Sequence, residues 1–165
     1  MSNPYIGWVN LQMVAVRHHL SLLVEETNAN ERLRNRGVLE SAAWHFKRAY
    51  RYYLYELGAN YQLPTPESND SAQQLADALE LVGKHPGEAA ELCLLEAEGW
   101  IKELTQAIAL ADTGERAALG PSIVNELEIL DLDKPTATLS KEVLGEWLVS
   151  FKELIERHRE VMLEY

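Results

Sequence analysis

Five histidines, at positions 18, 19, 45, 85 and 158, are the residues of this chain best suited to chemistry. Imidazole titrates near neutral pH and also ligates metals. A di-iron centre inside a helical bundle needs Glu-x-x-His pairs facing inward on two helices. The residues three before the histidines are Ala15, Val16, Ala42, Val82 and Ile155. None is acidic, so that centre is excluded. Cys93 is the single cysteine and no His-Glu-x-x-His occurs, which excludes the usual zinc sites. Asp131 and Asp133, near Lys134, lack the glycine and the later acidic ligands of a calcium loop. Phosphate-binding glycine loops and Gly-x-Ser-x-Gly turns are absent as well. The expectation is no metal, no cofactor and no catalytic residue.

Small helical ribonucleases of prokaryotic defence systems carry an arginine followed by a histidine four to six residues on, and no arginine here has that partner. A ligand site remains open at His45, Arg48 and Tyr52, which lie three and seven residues apart along one edge of a helix. A small anion or nucleotide would suit that edge, whether for binding alone or for an enzyme. His18 and His158 fall among apolar neighbours, where a neutral, packed ring with one hydrogen bond is expected. Cys93, between Leu92 and Leu94, is expected to be a buried inert thiol.

These residues must be positioned by helices, because apolar residues recur at three- and four-residue steps throughout and no strand-like alternation is sustained. A first helix opens at Asn3-Pro4 and extends to about Asn28. It carries two stripes, Ile6, Val9, Met13, Val16, Leu20 and Leu23 on one side and Trp8, Leu11, Ala15, His18 and Leu22 about half a turn away. A second helix from about Glu31 to a C-capping Gly58 has Leu39, Ala42, Phe46, Ala49 and Tyr53 on one line. Trp44, Arg48, Arg51 and Tyr55 lie roughly opposite. Two such faces imply cover on both sides, by other helices or by a second chain.

Ser71 with Gln74 forms a capping-box pattern ahead of Leu75, Leu79 and Val82. Gly83 to Gly87 is a turn, and a fourth helix runs from Glu88 to Ala111 with a kink or split at Gly99. Periodicity fades over 112–139, apart from a helical turn near Ile123 to Leu127. Ser140 then caps a last helix to the end of the chain. The expected fold is all-α, one domain over 1–165, an antiparallel bundle of about five helices. Trp100, Trp147, Phe46 and Phe151 are the expected core anchors.

The chain of 165 residues is 47% apolar and 25% charged, as in soluble globular proteins. Residues 1 to 62 sum to +2 and the remainder to −13. The acidic part repels phosphate backbones, which disfavours nucleic acid. The aromatics of the second helix suggest a stacking platform, but rings spread around a helix cannot present one flat surface. Asn10, Gln12, Arg17, His18 and His19 interrupt the richest apolar stretch, so a membrane helix is rejected. With no signal-peptide pattern at the start, a cytoplasmic location is expected.

Three stretches carry a resemblance. They are Ala43-Trp44-His45-Phe46-Lys47-Arg48-Ala49-Tyr50 leading to Tyr61-Gln62-Leu63-Pro64; Gly99-Trp100-Ile101 with Leu104; and Trp147-Leu148 through Leu154-Ile155-Glu156-Arg157-His158-Arg159-Glu160 to Tyr165. Together they resemble a family of short bacterial proteins classified as a domain of unknown function. The resemblance implies a stand-alone intracellular helical protein without an established activity, and it carries over no catalytic residue. The residues themselves favour a non-enzymatic bundle acting on an unknown protein partner or on itself. A homodimer is expected to use Trp44, Arg48, Arg51 and Tyr55.

Overall fold

Asn3 sets the first helix in two ways. Its Oδ1 accepts the backbone N–H of Tyr5 at 3.1 Å, and its Nδ2 donates to the Glu56 carbonyl at 2.9 Å and to Asn60 Oδ1 at 2.8 Å. The same side chain therefore starts α1 and ties it to the far end of α2. The computed structural model describes residues 3–111 and 139–163. They form α1 (Tyr5–Ser21), α2 (Ala29–Asn60), a short 3-10 turn (Pro66–Ser68), α3 (Ala72–Leu81), α4 (Gly87–Glu98), α5 (Trp100–Ala109) and α6 (Lys141–Leu163). The fold is all-α, a helical bundle with six α-helices and no strand among the described residues. The irregular segment expected at 112–139, with its helical turn near Ile123 to Leu127, lies outside them but for Leu139.

α1 stops sooner than its apolar pattern suggests. Leu22, Leu23 and Val24 continue the periodicity, but Asn35 accepts the Val24 N–H at 3.0 Å and donates to the Val24 carbonyl at 2.7 Å. That two-way grip holds the link in a non-helical course. Asn28 then caps α2 by accepting the Glu31 N–H at 3.0 Å, while Glu31 Oε2 accepts from the Thr27 N–H and hydroxyl. α1 and α2 run antiparallel, as the pairings Tyr5–Tyr55, Trp8–Tyr52 and Gln12–His45 show.

α2 is the centre of the bundle. Phe46 and Tyr53 meet Phe151 of α6, Tyr50 donates to Glu96 of α4, and Phe46 meets Trp100 of α5. Every residue from Tyr53 to Gly58 is buried. Gly58 is not a left-handed cap: α2 continues to Asn60, Pro66 packs against Gly58, and the positive φ falls at Gln62 instead. A Cβ at Gly58 would stand 3.0 Å from the Pro66 Cβ, so the glycine serves close approach.

Local capping elsewhere follows the residue pattern. Ser71 accepts from the Gln74 N–H at 3.2 Å and Ser140 from the Val143 N–H at 3.1 Å. Gly83 takes φ +73° at the end of α3. The fourth helix splits at Gly99 into α4 and α5, and the break needs glycine: a Cβ there would lie 2.7 Å from Leu95 Cδ2 and 2.9 Å from its Cα. The break tucks Trp100 against Phe46 and Phe151, with ring centroids 5.4 and 5.6 Å away.

Phe46, Phe151 and Trp147 are buried, whereas Trp100 is half-buried at the edge of the core. Cys93 is half-buried rather than enclosed, and burial raises its thiol pKa.

Candidate functional site

The expected ligand residues His45, Arg48 and Tyr52 share one edge of α2, where it meets α1. His45 donates from Nδ1 to Gln12 Oε1 at 2.7 Å, and His19 donates from Nδ1 to the Ala15 carbonyl at 2.8 Å. The two rings lie 4.9 Å apart, with His18 6.1 Å beyond His19. Burial at the seam, then the neighbouring His19 and Arg48, hold the His45 pKa below its ordinary value. Tyr52 is covered by Trp8, edge to face at 5.3 Å, and Arg48 is exposed. His18 is exposed too, so the packed ring expected there is not found.

Exposed side chains stand on both helices that form the seam. On α1 stand Trp8, 47% exposed, and Leu11, 63% exposed, with Leu22 beyond. On α2 stand Trp44, 42% exposed, with Arg48 and Arg51. Lys47 lies 5.2 Å from the centre of the Trp44 ring, and Arg51 pairs with Asp70 at 3.2 Å. Tyr55 departs from its expected interface role. It is buried within the chain against Tyr5, and its hydroxyl donates to Asp70 at 3.2 Å.

A second polar group lies inside the bundle. The Tyr53 hydroxyl donates to His158 Nδ1 at 2.6 Å, and His158 Nε2 donates to Glu91 Oε2 at 2.9 Å. His158 therefore makes two hydrogen bonds rather than the one expected of a packed ring. Glu91 also accepts from Arg157 at 2.7 and 3.1 Å. The Arg157 hydrogen bonds, joined by that of His158, hold the Glu91 carboxyl below the usual range. The next residue, Arg159, makes a two-point pair at 2.7 and 2.8 Å with Glu56, a carboxylate with no exposed surface one turn along α2 from Tyr53. Glu88, buried in the first turn of α4, keeps Oε1 without a partner among the described residues.

The Tyr–His–Glu order is that of a relay able to draw a proton from a hydroxyl. Tyr53, however, has no exposed surface, and burial raises its pKa far above the ordinary tyrosine value. That oxygen is closed to solvent, and the relay joins α2, α4 and α6. Sequence periodicity placed His158 on an apolar side, but Tyr53 and Glu91 are 105 and 67 residues away, and no local signal points to either.

Among the described residues no group of three His, Cys, Asp or Glu side chains is arranged to hold a metal ion. No helix there is long and apolar enough to cross a membrane.

Fold and site together define an all-α bundle with an apolar core crossed by a few buried polar links and an apolar, basic outer seam. The chain belongs to a family of unknown function, DUF6586, whose family model matches residues 19–165. No curated protein and no solved structure matches it.

Proposed function

We propose that the protein acts through protein contacts rather than catalysis, and that its α1–α2 face pairs with the same face of a second copy. The observation that carries this is the set of large apolar side chains left open on both sides of one seam: Trp8 at 47%, Leu11 at 63% and Trp44 at 42% exposure. Single exposed apolar residues need no explanation, but a contiguous patch rimmed by polar groups marks an interaction surface. Tryptophan and arginine are the types enriched at the energetic centre of protein interfaces, and here Trp8, Trp44 and Arg48 flank one seam. The 17 residues of α1 span about 25 Å, so two antiparallel helix pairs stacked face to face would make a four-helix layer. A two-fold axis lets one patch complement itself, and Arg48 would stack on a tryptophan of the other copy.

Light scattering coupled to size exclusion tests this on Leu11→Glu and Trp44→Glu. Both side chains are exposed, so the fold should tolerate the charge. Each substitution should convert a dimer to a monomer with unchanged helical circular dichroism. A dimer that survives both places the contact elsewhere.

A further inference from the structure

On the other side of α1, facing α6, the chain encloses an open cleft of about 190 Å³. Buried Met13 and Ile155 give it an apolar floor, exposed Val14 and Asn10 stand at its edge, and Arg17, Lys152 and Arg159 line it with one carboxylate, Glu156. Counting Glu56, which holds Arg159, three cations stand against two acids, a local excess of positive charge in a chain of net charge −11. The cations are not equally engaged. Lys152 lies 3.7 Å from Glu156 across one helical turn. Arg159 spends Nε and one Nη2 proton on Glu56, which locks its guanidinium plane. Its Nη1 donors have no protein partner among the described residues. Arg17 makes no hydrogen bond or ion pair among them at all.

We infer that this cleft binds a small organic monoanion, its acidic head held between Arg17 and Arg159 and its short apolar body lying on Met13, Val14 and Ile155. Two chemical facts select that class. A guanidinium held by a buried carboxylate is pre-oriented, so its remaining N–H groups meet an anion at little entropic cost. The apolar floor offers nothing to an inorganic ion but removes an alkyl or aryl body from water. The volume, below that of drug-sized pockets, limits the ligand to a few carbons beyond the head. The cleft and the outer seam lie on different sides of α1, so this inference does not rest on self-association.

The test uses the full chain labelled with nitrogen-15 and three probes: hexanoate, acetate and hexylamine. Hexanoate should give saturable amide shifts confined to α1 and α6. Acetate should bind more weakly, and hexylamine should leave the cleft residues unmoved. Arg17→Gln removes one charge-assisted contact and should weaken hexanoate about tenfold. Val14→Glu, at a position 56% exposed, should abolish binding while keeping the fold. Absence of saturable shifts with hexanoate, or equal responses to hexylamine, overturns the inference. So does hexanoate binding that Arg17→Gln and Val14→Glu leave intact.

Discussion

Replacing Arg159 by Met isolates what the buried ion pair does. Glu56 has no exposed surface, and the Arg159 contacts at 2.7 and 2.8 Å reach both of its carboxylate oxygens. Asn3 donates to the Glu56 backbone carbonyl, not to its carboxylate, so no second donor takes over. Breaking a buried pair from one side costs about 3–5 kcal/mol, because the remaining charge stays out of water unpaired. The Arg159 side chain is 25% exposed at the cleft. Removing it lets some water in, so the loss should fall at the low end, about 3 kcal/mol. That is a large share of the roughly 5–15 kcal/mol by which a domain is stable. The double substitution Glu56→Leu with Arg159→Met should return to within about 1 kcal/mol of wild type, since apolar replacement of a whole buried pair is often neutral. Urea denaturation followed by circular dichroism reads both. A loss under about 1 kcal/mol for Arg159→Met alone would refute the claim that Glu56 depends on this partner.

Other outcomes follow from the same interior. His158→Leu should cost about 1–3 kcal/mol by stranding the Tyr53 hydroxyl, and adding Tyr53→Phe should restore part of it in the same urea assay. Gly99→Ala should destabilise by about 1–3 kcal/mol, because its methyl would meet the Leu95 backbone; an unchanged midpoint would mean the α4–α5 break relaxes freely. Burial raises the pKa of Tyr50 and Tyr53, so the stability held with both neutral is present below pH of about 10 and lost as pH rises above it, where only the unfolded chain ionises. Phenolate absorbance for those two should appear together with unfolding, not before it. At the acid end Glu91, held low by Arg157 and His158, contributes stability above its ordinary pKa that is lost as pH falls below it, and Glu91→Gln should flatten that limb of a pH–stability curve.

What could be read from the sequence was what local chemistry decides. The Ser71 and Ser140 caps, the Gly83 turn and the Gly99 break each depend on residues within four positions, and each stands where the pattern puts it. The ends of α1 and α2 were not legible. Asn35 holds Val24 from 11 residues away, and Pro66 packs on Gly58 across a turn. The second stripes were visible, but not which of them the fold covers. Tyr55 is enclosed because Tyr5 and the segment at Asp70 close over it, whereas Trp8 and Leu11 are left outside because α2 lies beside only one flank of α1. His45 and Tyr52 lie along one edge of α2 with Arg48, but their contacts with Gln12, His19 and Trp8 come from another helix. The Tyr53–His158–Glu91 relay joins three helices far apart in sequence and had no signature.

Self-association through the open seam is tested most directly by the mass of the wild-type chain in solution. Sedimentation equilibrium across a range of concentrations should return twice the chain mass of 18.7 kDa at tens of micromolar and fall toward the single mass on dilution. A wild-type protein that holds the single-chain mass throughout that range contradicts it.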